Sequence, residues 1–317
     1  MVPARHDPRL EAAIHAVPEW RGHHIGITPV STGHDDRHFM IEVDDEPFML
    51  RLAQPLGAGH RVDAIGEVEI TQAATTAGVA TEVVAGMPQL GCLVTRFAPG
   101  RRLGPGDLDD DDVMVSLLGS VRALHACPPP AVQRSPFQEA RDLRRAAVLR
   151  GVALPAVGVR ATEIVACIER AWSRASPSTV ACHGDLTPAS LFFDGRQVWI
   201  VDYRWAGAGD PFEDLGSIVA HLEVGIERRE SLLAMYFGTV RETERARLAL
   251  MSLVAHYLSA MRSSPGRSHL AEPSLSGISP GSSTTRWPSR STGGSAPSAE
   301  DIAPAAARGV PRSRCQG

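Results

Sequence analysis

The stretch that decides the fold is VACHGDLTPASLFFDGRQVWIVDYRWAGAGDPFEDL, residues 180–215. Two runs rich in strand-forming residues, 191–193 and 198–201, flank Asp194 and Gly195. Because an Asp-Gly pair favours a tight hairpin turn in which both residues have a positive φ, the stretch predicts a β-hairpin. Such a hairpin returns Asp202, at the end of the second strand, toward Asp185.

Two carboxylates that meet from different loops suit phosphoryl transfer. One accepts the proton of an attacking hydroxyl, and the other binds a Mg²⁺ ion that bridges nucleotide phosphates. Kinases carry His-x-Asp, a metal-binding Asn five positions after that Asp, and a strand that ends in a second Asp. This chain has His183, Asp185 and Asp202 in that order, with Ser190 at the Asn position.

The pattern resembles the aminoglycoside phosphotransferase and choline/ethanolamine kinase family, which carries HGDLxPxN, a hydrophobic-Asp-aromatic run and GDPxxDL. The matching residues are His183, Gly184, Asp185, Leu186, Pro188, Asp202, Gly209, Asp210, Pro211, Asp214 and Leu215. Two acids on an ordinary surface hairpin would not account for so many matches in order.

The resemblance implies an α+β, two-lobed, protein-kinase-like fold. Its small N-lobe, residues 1–98, has an antiparallel sheet and a helix and binds the nucleotide. The mainly helical C-lobe, residues 99–262, carries the catalytic loop and the acceptor site. Residues 263–317 are rich in Ser, Pro, Gly and Arg, a composition that predicts a disordered tail.

The resemblance also implies ATP and Mg²⁺ as cofactors and a γ-phosphate transfer to a hydroxyl of a small molecule. Asp185 is the expected base or orienter of that hydroxyl, with His183 bracing the catalytic loop. Asp202 is the expected Mg²⁺ ligand, and Ser190 is a shorter, weaker ligand than the family's Asn. Asp210 and Asp214 are expected to hold the loop by hydrogen bonds.

On the N-terminal side, strands are predicted at 25–30, 37–43, 47–52 and 93–97, and a helix at 62–77. The chain contains no lysine, so any cation that binds phosphate must be an arginine. By the resemblance, Arg51 stands where kinases place the lysine that contacts the α- and β-phosphates. By the resemblance, Glu67 is its partner, with Glu69 as the alternative. The resemblance also implies that Gly33 lies in the turn over the phosphates and that backbone groups from Thr95 through Phe97 to Ala98 bind the adenine.

Helices are predicted at 9–17, after the acids at 109–112, and at 138–149, 160–175, 211–222, 231–236 and 242–261. The four acids are interpreted as the solvent-exposed start of a helix. There their carboxylates accept free backbone N–H groups and interact favourably with the positive end of the helix dipole.

Composition excludes several classes of protein. The formal charge of −4 gives no reason to expect nucleic acid as a partner. No apolar run reaches the length of a membrane span, and the N-terminus lacks an apolar signal core, so a cytoplasmic location is expected. The five cysteines are scattered without C-x-x-C, which argues for reduced thiols and against a zinc site.

The acceptor is the least determined feature. Choline or ethanolamine is the best single candidate, with an aminoglycoside-like acceptor also open. Tyr203 and Trp205 could contribute to an aromatic cage for an ammonium group. Arg204, however, replaces an acid of the choline-kinase-like branch, and this charge reversal argues against a cationic acceptor.

Two other interpretations stay open. Ser190 and a glycine-poor phosphate turn fit a catalytically impaired pseudokinase or nucleotide-binding module. A metal-dependent hydrolase using His183, Asp185 and Asp202 would need more ligands than the sequence offers.

Overall fold

The computed structural model describes residues 8–30, 37–53, 64–149, 151, 156–174 and 179–262. The predicted phosphate turn at 31–36, with Gly33, and the predicted tail at 263–317 lie outside the described residues.

A five-stranded antiparallel sheet forms the N-terminal part, with strand order β1-β2-β3-β5-β4. The strands are β1 (Ile25–Val30), β2 (Arg37–Val43), β3 (Glu46–Leu52), β4 (Val83–Met87) and β5 (Cys92–Arg96). Alternate residues of β2 and β3 are buried because successive side chains point to opposite faces of a sheet. Those residues, among them Phe39, Ile41 and Leu50, pack in one core with Leu10 of helix α1 (Pro8–His15) and with Trp20.

Helix α2 (Ala64–Thr76) joins the sheet to the rest of the chain. It lies so close to β4 that a Cβ added at Gly86 would come within 2.7 Å of the Val68 side chain. Ile70 and Ala74 belong instead to the larger core of the C-terminal part. One helix therefore fixes the sheet against the elements that follow.

The C-terminal part is mainly helical. Helix α3 starts where the acid run predicts, since the side chain of Asp110 accepts the backbone N–H groups of Asp112 and Val113. Helices α6 and α8 approach closely, because a Cβ on Gly216 would lie 2.7 Å from the backbone of Met251. The helices are α3 (Asp111–His125), α4 (Pro136–Leu149), α5 (Ala156–Trp172), α6 (Pro211–His221), α7 (Ile226–Phe237) and α8 (Glu242–Arg262).

Short strands carry the central stretch. β6 (Arg101–Arg102), β8 (Leu191–Phe193) and β9 (Val198–Ile200) form one small sheet, and β7 (Val180–Cys182) pairs with β10 (Gly207–Gly209) in another. Within the described residues, no helix is both apolar enough and long enough to span a membrane.

The predicted hairpin is present, but its predicted turn is wrong. Phe193 pairs with Val198, so four residues form the loop. Gly195 has a φ of 95°, whereas Asp194 is not among the described non-glycine residues with positive φ. The Asp194 carboxylate instead accepts the N–H groups of Arg196 and Gln197 at 2.8 and 2.9 Å, which stabilises a longer turn.

Other predicted elements agree to within a few residues. The sequence did not predict β4 or β6, and it placed the starts of α5 and α7 too late, at 160 and 231 instead of Ala156 and Ile226. β4 contains Gly86 and does not alternate apolar with polar residues, and β6 consists of two arginines, so neither shows the pattern that marks a strand.

A buried carboxylate ties α6 to the loop of residues 183–190. Asp214 is fully buried, and it accepts the backbone N–H groups of His183 at 2.8 Å and Gly184 at 2.7 Å. His125 of α3 lies 2.9 Å from the same carboxylate and 2.6 Å from the Tyr236 hydroxyl. The expectation that Asp214 holds this loop is confirmed, and His125 belongs to the same network.

We predict that Asp214→Asn lowers the free energy of unfolding by about 1.5–3 kcal/mol at neutral pH, because hydrogen bonds to a charged group are lost. Burial raises the pKa of Asp214, but the His125 hydrogen bond and charge, the His183 charge and the Gly184 N–H together hold it below its ordinary value. A lowered folded-state pKa stabilises above the unfolded value, and that contribution disappears as the pH falls through the folded value.

Denaturant unfolding across an acid series measures this difference. The gap between wild type and variant should shrink toward acidic pH, and the exposed Asp112→Asn serves as the matched control. A gap that stays constant with pH would contradict the role given to the charge.

Candidate functional site

The loop of residues 183–190 is held from both ends by buried groups. His183 is fully buried, its Nε2 lies 3.0 Å from the Val201 carbonyl, and its Nδ1 accepts the Asp185 N–H at 3.2 Å. Tyr203 packs edge-on against its ring at 5.1 Å. The imidazole thus braces the loop, as the sequence predicted, and Tyr203, 1% exposed, packs in the core.

Gly184 sits where a side chain has no room. Its φ is +80°, and an added Cβ would lie 2.3 Å from the Arg134 guanidinium and 2.6 Å from the Trp205 carbonyl oxygen. Arg134 donates to the carbonyls of Gly184 at 2.7 Å and Trp205 at 2.8 Å. It also pairs with Glu139 and Glu213, each at 3.1 Å.

Asp185 lies in this loop, 6% exposed, and its Oδ1 forms an ion pair with Arg262 at the end of α8. Arg262 also donates through Nε to Glu139 at 2.7 Å. Its guanidinium lies 4.9 Å from the centre of the Trp205 ring. One cation is therefore held between two carboxylates and an aromatic face, beside the residue expected to act as base.

Asp202 ends the hairpin in the left-handed conformation, with φ 70° and ψ 65°. Such a conformation is strained for a residue other than glycine and occurs often at functional sites. Its Oδ2 lies 2.9 Å from the guanidinium of Arg204, which is 1% exposed. Its Oδ1 is buried and takes no hydrogen bond from the residues that the structure describes, so a cation would fit at this oxygen.

Ser190 does not fit a metal as well. It is 3% exposed, its Oγ accepts the Thr187 N–H at 3.0 Å, and its hydroxyl lies 3.0 Å from the Thr187 carbonyl and 3.2 Å from that of Asp185. These contacts close the turn of the loop and occupy the hydroxyl.

A cleft opens between the N-terminal sheet and the hairpin. The expected pair of Arg51 and Glu67 is confirmed as a buried ion pair on its wall, where Glu67 and not Glu69 is the partner. Asp202 lines the same cleft. The backbone of 95–98 borders it too, so both predicted nucleotide-binding residues of this segment, Thr95 and Phe97, lie at the cleft.

Asp210 departs from its predicted role. Its carboxylate caps α6 by accepting the Phe212 N–H at 3.0 Å, and it pairs with Arg247 of α8. Its contacts stabilise the helix that carries Asp214, so its effect on the loop is indirect.

One group of three potential metal ligands occurs in the described part of the chain: His125, Cys182 and Asp214, all buried. The carboxylate is already bonded to His125 and to two backbone N–H groups. Burial raises the pKa of the Cys182 thiol well above its ordinary value, which disfavours the thiolate that binds metals. This group is structural and gives no support to a hydrolase.

Sequence reasoning missed two arginines of the site and assigned a third to the wrong partner. Arg134 and Arg262 stand in no motif, because the residues they contact are 50 and 77 positions away in the chain. Arg204 was noticed as a charge reversal, but its charge was assigned to the acceptor, whereas the structure pairs it with Asp202.

Comparisons with known proteins identify the family and the fold of the chain. The sequence model of the phosphotransferase enzyme family (APH) matches residues 26–250. No curated protein sequence matches the chain.

Solved structures share the fold. A choline/ethanolamine kinase family protein from Mesorhizobium loti is 23% identical, with a TM-score of 0.67 over 80% of this chain and 83% of the other. Choline kinase LicA from Streptococcus pneumoniae is 12% identical, with a TM-score of 0.69 over 83% and 92%. A spectinomycin phosphotransferase, solved with ADP and spectinomycin, is 10% identical, with a TM-score of 0.56 over 81% and 91%.

These neighbours confirm the predicted α+β, kinase-like fold, with an antiparallel sheet in the N-terminal part and helices in the C-terminal part. The family model matches most of the length of this chain, so the chain belongs to the phosphotransferase enzyme family.

Proposed function

We propose that this protein is an ATP-dependent phosphotransferase that transfers the γ-phosphate to a hydroxyl of a small molecule. The observation that carries the proposal is the single cleft that Arg51, Glu67 and Asp202 line together. Phosphoryl transfer depends almost entirely on positioning and charge stabilisation, and this cleft offers a fixed cation and a carboxylate for those purposes. We also propose a cytoplasmic location, where ATP is available.

In this proposal, the adenine lies along the backbone of residues 95–98 and Arg51 contacts the phosphates. Glu67 fixes the guanidinium, since both groups are buried and paired. The spectinomycin phosphotransferase neighbour was solved with ADP, which supports nucleotide use by this fold. Asp202 Oδ1 would hold Mg²⁺, which, when bound, supplies positive charge to the phosphate oxygens.

Asp185 is the proposed base or orienter of the acceptor hydroxyl. In the structure, the Oδ1 of Asp185 forms an ion pair with Arg262. An ionised carboxylate can accept several hydrogen bonds, so a hydroxyl and the guanidinium can share Asp185. In this proposal the acceptor approaches Asp185 beside Arg262 and competes with it for the carboxylate.

A cationic amino alcohol, choline or ethanolamine, is the proposed acceptor. Arg262 itself supports this choice, because its guanidinium is held by Asp185, Glu139 and the Trp205 ring. Carboxylates and an aromatic face are the groups that bind an ammonium ion. Arg204 no longer argues against a cation, since its charge is directed at Asp202.

A pseudokinase of the same fold is the second candidate. Three observations favour it: Arg262 pairs with Asp185, Arg204 pairs with Asp202, and the Ser190 hydroxyl is engaged within its own loop. Measured turnover separates the two functions.

We predict that the full chain binds ATP more tightly with Mg²⁺ than without it in a calorimetric titration. Arg51→Gln should weaken binding about tenfold or more, because charged hydrogen bonds contribute about 1.5–3 kcal/mol. The exposed Arg196→Gln is the matched control. Folded wild-type protein that binds no ATP would refute the nucleotide site.

We predict that Asp185→Asn lowers kcat about 10²–10⁴-fold, the range that a positioned base contributes, and leaves ATP affinity nearly unchanged. Turnover is measured with choline and ethanolamine first, and calorimetry reports ATP binding for the same sample. Persistent turnover in the variant would rule out Asp185 as the base.

We predict that Arg262→Met strengthens choline binding severalfold, because it frees Asp185, Glu139 and the Trp205 face for an external cation. Calorimetry with choline at saturating nucleotide measures the effect. Arg245→Met, at an exposed position of the same helix, is the control. Unchanged or weaker choline binding in the folded Arg262 variant would argue against a cationic acceptor at this place.

A further inference from the structure

We propose that Arg204 takes the place of a second metal ion, so that the nucleotide complex of this protein holds one divalent cation instead of two. The inference rests on the proposed phosphotransferase function. In protein kinases, two Mg²⁺ ions are held by the strand-end Asp and by the Asn of the catalytic loop. The corresponding positions here are Asp202, which keeps the acid but pairs with Arg204, and Ser190, which replaces the Asn.

The first departure is the lost ligand. Asn would present a carbonyl oxygen on a longer side chain, whereas the Ser190 hydroxyl is turned into its own loop. Its proton is directed at the carbonyls of Thr187 and Asp185, and its oxygen accepts the Thr187 N–H. The cleft is lined here by Ala189, the residue before it. The second metal position therefore loses its loop ligand.

The second departure is the added cation. The Arg204 guanidinium lies 2.9 Å from Asp202 Oδ2, and the side chain is 2% exposed. Arginine is not deprotonated in proteins, so this charge is permanent. A dication at the same oxygen would meet a fixed positive charge within contact distance, and because the guanidinium is buried, water and salt screen that repulsion little. Oδ2 is therefore closed to a metal.

The third observation concerns the oxygen that remains. Asp202 Oδ1 is buried and takes no hydrogen bond from any residue of the described ranges. Asp202 also lines the nucleotide cleft. One carboxylate oxygen is thus neutralised by arginine, and the other is left for one cation. Arg204 acts as a positioning residue: it fixes the Asp202 carboxylate and supplies the charge that a second ion would bring.

The two departures compensate each other. Without Asn, a second ion would be poorly held, and without that ion, Asp202 would lack a partner on Oδ2. The guanidinium provides that partner from two residues further along the chain, in the turn that follows Asp202. Loss of the Asn and gain of the arginine therefore belong to one arrangement.

The test counts bound metal ions directly. The full chain is saturated with a non-hydrolysable ATP analogue and titrated with Mn²⁺, and the free Mn²⁺ is followed by electron paramagnetic resonance. We expect one Mn²⁺ per protein–nucleotide complex. The double variant Ser190→Asn with Arg204→Glu, which restores the family's Asn and acid, should bind two. Arg196→Glu, with the same charge change on the exposed turn of the hairpin, should still bind one.

Each result has a defined meaning. Two Mn²⁺ ions in the wild-type complex would overturn the inference, and this count needs no variant to fold. One Mn²⁺ in a folded double variant would overturn the role of Arg204 and Ser190. Absence of nucleotide binding would instead refute the proposed function, so the two failures are distinguishable.

Discussion

The site depends on a single buried carboxylate, that of Asp214. It binds the N–H groups of two successive residues, His183 and Gly184, and so fixes the backbone direction immediately before Asp185. Because the carboxylate is fully buried, these bonds do not compete with water. The helix that carries Asp214 begins with a capping box at Asp210 and packs against α8. The position of the loop therefore follows from helix packing in the C-terminal part.

Around that fixed loop, arginine balances acids that are buried or, in the case of Asp202, half-buried. Arg51 pairs with Glu67, Arg204 with Asp202, and Arg262 with Asp185. A buried charge without a partner costs several kcal/mol, so each acid requires a cation or a hydrogen-bond donor. A guanidinium forms planar, multiply bonded contacts that an ammonium group does not. In a chain without lysine, the geometry of the site is set by guanidinium groups.

The two arginines that meet the proposed functional acids differ in their surroundings. Arg204 is enclosed and lies on the same turn as Asp202, so it belongs to the permanent site. Arg262 ends the last described helix and reaches Asp185 from 77 residues away. It lies between Trp205 and Glu139, and its ion pair with Asp185 joins the end of that helix to the loop.

The sequence by itself determined the fold class, the loop and the hairpin, and it narrowed the partner of Arg51 to Glu67 or Glu69, because these depend on local patterns and on a resemblance carried by contiguous motifs. It determined neither the hairpin turn, where the Asp194 side chain selected a longer loop, nor strand β4, which lacks apolar alternation. Only the tertiary structure decided the partners of Asp185 and Asp202 and the engagement of the Ser190 hydroxyl. The physical reason is that ion pairs form between groups brought together by packing, at separations that no local pattern encodes.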